Sequence, residues 1–454
     1  MLREGGILRT AMAFGLAAVL WLSAGVATRA YAASSLEQQF DQAFQHMLQD
    51  PANLDKSFKY AELGIEIGDY EAAISALERM LLYNPDLPRV RLELGVLYFR
   101  LGSYTIARAY LTRAVEGANV PDDVRARVAV FLDEIDNRLS KHRFSGSVYS
   151  GMRYQTNANA GPERAAIRLL DTEGVLDGEF TAKVDWNAFV SSNFRHVYDP
   201  QSHSGDVLET DLLVYISQQS NQHQLDLVFS EISMGPRGQF LREFIENASW
   251  RPHIVASIVI LDDSPYYETY GAGVDIDKQF TAKTNGSVSA SYVQKTYRAD
   301  AGRTTARLQN GAEADLEGNV GYRVNDKVML TSNAGVANLD TDISLYSNTE
   351  FTFGLGAIVT HDPPKYFDKL LVTGPWTTSL SGTAIYSRYH APDSSIDTFV
   401  KRKDHEYRAT LLTSIPINKS WSVTATLART SVNSNFLNYS YNNSAASVGA
   451  SVRF

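Results

Sequence analysis

The chain has 454 residues, 44% hydrophobic and 11% aromatic, with a formal net charge of −9 and no cysteine. That length exceeds one ordinary domain. The missing cysteines exclude disulfides, thiolate nucleophiles and cysteine metal sites, and an acidic chain without a basic stripe argues against nucleic acid as a partner. A mean hydropathy of −0.21 indicates no helical membrane protein, although barrels escape such averages because half of each strand is polar.

Arg3 and Arg9 precede an apolar run from Ala11 to Leu22 and on to Ala27, and Ala30, Tyr31, Ala32 then form a small-x-small site. This predicts a secretory signal peptide over 1–32, removed after Ala32. No cysteine follows the site, so the mature protein is not expected to be a lipoprotein. No later long apolar run is expected to hold it in an inner membrane.

Residues 33–141 read as helical, with a period of 34. Gly68, Tyr70, Ala73 and Leu77 recur as Gly102, Tyr104, Ala107 and Leu111, Pro85 closes the first unit, and Pro121 sits near the end of the second. The pattern resembles the tetratricopeptide repeat, in which small residues let paired helices approach closely and larger ones fill the layer between repeats. Ser57 and Arg91 stand where an aromatic is usual. Leu36–Gln49 and Val124–Leu139 are expected as flanking helices.

Residues 142–454 carry alternating strand patterns. The predicted strands are Phe144–Thr156, Gly178–Phe194, Val207–Ser217, Gln222–Ile232, Ser249–Leu261, Glu268–Gln279, Lys283–Tyr297, Asn310–Arg323, Lys327–Leu339, Tyr346–His361, Trp376–Tyr389, Lys403–Ile415, Trp421–Ser431 and Ser440–Phe454. Most reach the ~9–11 residues that a tilted membrane-spanning strand needs. Charges at Lys183, Asp185, Asp275 and Glu313 suit a wet lumen. Aromatics near strand ends, Tyr154, Trp186, Tyr297, Tyr322, Trp376, Tyr386, Tyr389 and Trp421, suit interfacial girdles. The last strand alternates Val448, Ala450 and Val452 on one face and stops on Phe454, an expected assembly signal for the barrel insertion machinery. The fold class is therefore α+β multidomain: an all-α tetratricopeptide-like domain, then a transmembrane antiparallel β-barrel of about 14 strands. A soluble β-sandwich or propeller is the competing reading. Two predicted connections are long on the side expected to be short, 233–248 with a helix-like Gln239–Asn247, and 362–375.

Nine histidines are scattered without metal-ligand spacing, and no nucleophile elbow, phosphate loop or dinucleotide fingerprint is present. The row Glu313, Asp315, Glu317 could bind cations, and reads more simply as a solvated lumen face. The expectation is a non-enzyme without cofactor or metal.

Repeats followed by a barrel, with Tyr154, Gln155, Thr156, Asn157, Ala158, Asn159 at the exit of the first strand, resemble the surface lipoprotein assembly modulator (Slam) family. The resemblance implies a periplasmic repeat domain, a 14-stranded outer-membrane barrel, outer-membrane lipid around it, and an exported protein or lipoprotein as the substrate. Exopolysaccharide export porins also join such repeats to a barrel, and a passive porin is the third possibility. A lumen lined with aromatics and acids is the feature that favours polysaccharide.

Overall fold

The computed structural model describes residues 27–117, 120–202, 204–239, 247–364 and 374–454. The chain divides into two compact units, Met1–Ser140 and Lys141–Phe454. Most of the predicted signal peptide lies outside the described residues. So do most of the helix-like Gln239–Asn247 and most of the 362–375 connection.

Among the described residues the first unit holds six α-helices: α1 Ala27–Gln49, α2 Leu54–Ile67, α3 Tyr70–Tyr83, α4 Pro88–Arg100, α5 Tyr104–Ala114 and α6 Asp122–Leu139. Helix starts follow from local chemistry. The Asn53 side chain accepts the Asp55 and Lys56 amides, and Asp69 accepts that of Ala72, satisfying donors that have no intrahelical partner. Pro88 supplies a preset φ at the start of α4. The repeat period is visible in conformation and burial. Gly68 and Gly102 adopt φ of +88° and +75°, and Ala73 and Ala107 are both fully buried, as are Leu77 and Leu111. One core gathers Met47, Leu77, Leu94 and Leu97. A second joins Ala107 and Leu111 to Val128 and Ile135 of α6, so the expected flanking helices do cap the stack. Ser57, in the place of the usual aromatic, is buried.

The second unit is a closed antiparallel barrel of 14 strands, in the order β1-β16-β15-β14-β13-β12-β11-β10-β9-β8-β7-β6-β5-β4. These are β1 His142–Gln155, β4 Asp185–Tyr198, β5 Val207–Gln219, β6 Leu227–Arg237, β7 Ala248–Leu261, β8 Ser264–Thr281, β9 Thr284–Tyr297, β10 Gly311–Asn325, β11 Val328–Thr341, β12 Asn348–His361, β13 Trp376–Pro392, β14 Lys401–Pro416, β15 Trp421–Ser434 and β16 Tyr441–Arg453. Closure comes from β1 pairing with β16, in register from Ser147↔Arg453 to Gln155↔Ala445. Two short strands, β2 Ala166–Leu169 and β3 Thr172–Val175, form a separate hairpin.

Alternation sorts the side chains into two faces. One face carries exposed apolar groups such as Ile254, Leu316, Phe353, Leu380 and Val448. The other carries buried polar groups such as Asp185, Asn187, Glu209, Arg251 and Asp404. The first is the outer, lipid-type surface and the second is the lumen. Tyr154, Trp186, Tyr322, Tyr386 and Trp421 fall on the outer face. Tyr297 and Tyr389 fall on the lumen face and leave the expected girdle, because side-chain parity and not position along the strand decides the face.

The strand count matches expectation, and several boundaries do not. Residues 178–180 form a 3-10 turn and β4 begins only at Asp185, so Lys183 is not on a strand. The Asp185 carboxylate accepts the backbone amides of Asn221 and Gln222, and Asp226 accepts that of Gln219. Those amides are lost to the ladder, and β6 starts at Leu227, five residues later than the alternation suggests. At its other end β6 runs to Arg237, past the predicted end at Ile232 and into the 233–248 connection. Pairing with β7 stops at Met234 while pairing with β5 continues, so Pro236 sits where no N–H is needed on that edge. The β7–β8 connection is only Asp262–Asp263, both with φ near +55°, a left-handed pair that aspartate tolerates.

Candidate functional site

The lumen and its two mouths are the candidate site. The near mouth is the end that carries His142 and Phe454; the far mouth carries the β1–β4 connection. At the near mouth, alternate residues of β4 to β8 place an ionic lattice on the wall. Arg251, almost fully buried, lies 2.8 Å from Asp211 and 3.5 Å from both Glu209 and Asp275, and donates to the Ser233 hydroxyl. Arg237 bridges Glu209 at 2.8 Å and Asp277 at 2.5 Å, Arg195 holds Asp211 at 2.6 Å, and His253 lies 3.4 Å from Asp275. Four carboxylates thus face three guanidiniums. Register brings these residues together from five strands, and none but Asp275 was singled out from the sequence.

The row Glu313, Asp315, Glu317 lies on the lumen face of β10. Lys295 pairs with Glu313 at 2.5 Å and the Asn333 amide donates to Glu317 at 3.3 Å. Glu350, two strands on, accepts from the Ser387 hydroxyl. Among the described residues no group of three metal-ligating side chains converges, and the row lines one wall of the lumen. On the β1–β5 wall, Arg153 lies 4.8 Å over the Phe189 ring and donates to the Tyr215 hydroxyl, and Tyr149 packs edge-on to Phe189 at 4.9 Å. The lumen therefore combines carboxylates with aromatic faces.

The far mouth is built by connections that clasp one another. Asn157 is buried: its side chain accepts the Gly161 amide and donates to the Gly161 carbonyl, and its own amide donates to Asn443. Asn159 accepts from Lys183 and donates to the Thr181 carbonyl. The stretch Tyr154–Asn159 is thus a staple for the loop base. Beyond it the β2–β3 hairpin reaches the β13–β14 loop. Asp171 accepts the Thr398 amide and hydroxyl, Leu170 and Asp171 donate to the carbonyls of Ser395 and Ile396, and Arg168 lies 2.7 Å from Asp397. Amides of Phe399 and Val400, with Arg168 beside them, hold the Asp397 carboxyl below its usual range. Next to the clasp, Arg402 lies 3.4 Å over Tyr439 and 4.5 Å over Tyr389.

The terminal residues sit on the closing seam. Val448, Ala450 and Val452 point outward from β16, and Phe454 exchanges both backbone hydrogen bonds with Gly146 while its ring stays largely exposed. In the helical unit, Gly68, Ala73, Leu77, Gly102, Ala107 and Leu111 are packing and capping residues, and Pro85 lies in the link between α3 and α4. A polar cluster sits among them. Tyr98 and Tyr110 stack at 5.6 Å and both donate to Glu78, at 2.7 and 3.2 Å. Burial, reinforced by Glu78, pushes the Tyr98 hydroxyl up to about 12.

A tetratricopeptide-repeat family profile matches residues 63–130, and no curated protein matches the chain. Solved structures similar to the helical part include the Yersinia enterocolitica type III secretion chaperone SycD in complex with a peptide of the translocator YopD. It is 18% identical, covering 24% of this chain and 86% of that one, with a TM-score of 0.23. PcrH in complex with the chaperone binding region of PopD is 17% identical over 31% of this chain and all of that one, with a TM-score of 0.22. An anion-selective porin from Comamonas acidovorans is 9% identical over 69% of this chain and 99% of that one, with a TM-score of 0.34. The chain joins tetratricopeptide repeats to a closed barrel of 14 strands whose outer face is apolar.

Proposed function

We propose that the protein resides in the outer membrane of a Gram-negative bacterium, with its helical unit in the periplasm, and moves an exported protein or lipoprotein to the cell surface without catalysing a reaction. The observation that carries this reading is the covalent joining of a repeat stack to a closed barrel, with only Ser140 and Lys141 between the last helix and the first strand. Repeat stacks of this kind offer surfaces for peptides. A short tether raises the local concentration of captured cargo at a pore to roughly millimolar. Release of the signal peptide after Ala32 and insertion through the terminal strand belong to the same reading.

Exopolysaccharide export is the second reading, and one observation favours it: the lumen carries aromatic faces at Tyr149, Phe189 and Tyr215 together with the carboxylates of Glu313, Asp315 and Glu317. Deleting 33–140 tests the first reading. The barrel should insert and remain heat-modifiable, while surface display of a co-encoded lipoprotein or secreted protein falls to background. Display at the full level would overturn cargo capture. Loss of surface polysaccharide with display intact would establish the second reading instead.

A further inference from the structure

The outer wall of the barrel contains a groove that the proposed transport role does not use. Small residues form its floor. Gly318 on β10 pairs with Val288 on one side and Ala334 on the other, and one step nearer the mouth Gly286 pairs with Lys278 and Val320. Ile276 and Phe280 of β8 and Phe353 of β12 stand up at its sides. The cavity measures about 400 Å³, within the range of ligand pockets, which starts near ~300 Å³. All of these side chains lie on the lipid-type face, so an occupant must enter from the bilayer.

Charge selects the occupant. Lys278 lies on the same outer face, 5.8 Å over the Phe280 ring. It sits three residues before the end of β8, roughly 10 Å along the strand at ~3.3 Å per residue. An ammonium at that depth reaches the headgroup layer by extending along its stem. Lys283 follows in the adjoining turn and is exposed. An apolar trough with cations at its near-mouth end fits a molecule with a long hydrocarbon tail and an anionic head.

We propose that this groove seats one acyl chain of a bilayer phospholipid, with the lipid phosphate held by Lys278 and Lys283. The inference rests on the membrane-spanning reading of the barrel. Occupancy would fill a defect in the apolar belt, which otherwise leaves the small-residue floor without packing partners.

The test uses the full chain purified in detergent, with palmitoyl-oleoyl phosphatidylglycerol as probe and native mass spectrometry as readout. One retained lipid per barrel is expected. Gly318→Leu should abolish it, because a Cβ there meets only backbone oxygens at 3.9 Å and the rest of the side chain fills the trough. Ala334→Leu fills the same trough from the next strand, and serves if Gly318→Leu fails to fold. Lys278→Ala should weaken retention about fivefold, the effect of one cation at an anionic surface. Retention unchanged in a correctly folded, heat-modifiable filled variant would overturn the proposal. So would preferential displacement of the phospholipid by a diacylated lipopeptide, which would make the groove a cargo site. Failure of the wild-type protein to insert into vesicles would instead remove the membrane reading itself.

Discussion

Gly95 provides a sharp test of how the repeat stack is packed. It lies on α4 against α5, and a Cβ added there would sit 2.5 Å from Leu111 Cγ and 2.7 Å from Leu111 Cδ2, where carbon atoms prefer ~3.5–4.0 Å. Leu111 is fully buried and cannot swing into solvent, so the helices must part. Overpacking of this kind costs ~1–3 kcal/mol. The intrinsic preference of a helix for Ala over Gly returns ~1 kcal/mol. With the contact so short, the upper end applies, and Gly95→Ala should destabilise the helical unit by ~2 kcal/mol. At ~4–8 °C per kcal/mol for a unit of this size, its transition followed by circular dichroism at 222 nm should fall by ~10 °C. In a Leu111→Ala background the opposing atoms are gone. The same substitution should then be neutral or stabilising by up to ~1 kcal/mol, a coupling of ~2 kcal/mol or more across the pair. An equal Tm loss in both backgrounds would show that the helices do not approach through Gly95, and the packing argument would fail.

Replacing Arg251 by Met takes the shared guanidinium from three carboxylates, of which Glu209 keeps Arg237 and Asp211 keeps Arg195. Breaking a buried pair costs ~3–5 kcal/mol, and because Asp211 and Asp275 are partly exposed the expected loss is nearer ~2–3 kcal/mol, read as a lower temperature for the heat-modifiable mobility shift; an unchanged temperature would make the lattice dispensable. The raised Tyr98 hydroxyl favours the folded state below the ordinary tyrosine pKa of ~10, and that contribution is lost as pH rises from there through about 12. Tyr98→Phe should therefore flatten the alkaline limb of the helical unit's stability profile. The depressed Asp397 works in the opposite sense: its contribution is full above ~3.9 and is lost as pH falls through its lower folded value. Asp397→Asn should release the hairpin at neutral pH, seen as faster thiol labelling at Ile396→Cys, a buried position in the loop that the hairpin clasps. Removing Phe454 deletes the last hydrogen-bonded pair of the closing seam and should lower membrane levels of the heat-modifiable form; normal levels would show that the terminal aromatic is not read during insertion.

Periodicity made the architecture legible. A 34-residue recurrence places Ala73 and Ala107, and Leu77 and Leu111, in equivalent buried positions, and two-residue alternation along β10 separates Leu316 and Val320 from Glu313 and Glu317. Both signals survive because each depends on one chain segment against one apolar neighbourhood. Partnerships across strands were not legible. Alternation assigns Arg251, Glu209 and Asp275 to one face, yet only register makes them neighbours, and register depends on turns such as Asp262–Asp263 whose length the alternation does not reveal. The β2–β3 hairpin escaped for a related reason. Each of its strands has four residues, its turn is Leu170–Asp171 and not an Asn-Gly pair, and its stabilising contacts come from Thr398, 227 positions away.

The barrel's connectivity also sets an order of events. Apart from β1 with β4, across the inserted hairpin, and β1 with β16, every barrel strand pairs with its neighbour in sequence. Each local pairing can form as soon as its second strand exists. The one distant pairing joins residues about three hundred positions apart, Ser147 with Arg453, and it needs the final residues of the chain. Until then the growing sheet carries two raw edges, β1 and whichever strand was made last, each able to recruit a foreign strand. At mid-seam those edges meet over small side chains, Ser150 opposite Ala450 and Gly151 opposite Gly449, so there the backbone ladder supplies most of the closure. A chain cut short before Ala445 forfeits that whole ladder and leaves an otherwise finished sheet uncapped. Until that ladder forms the sheet keeps two open edges, and closure removes both in a single step.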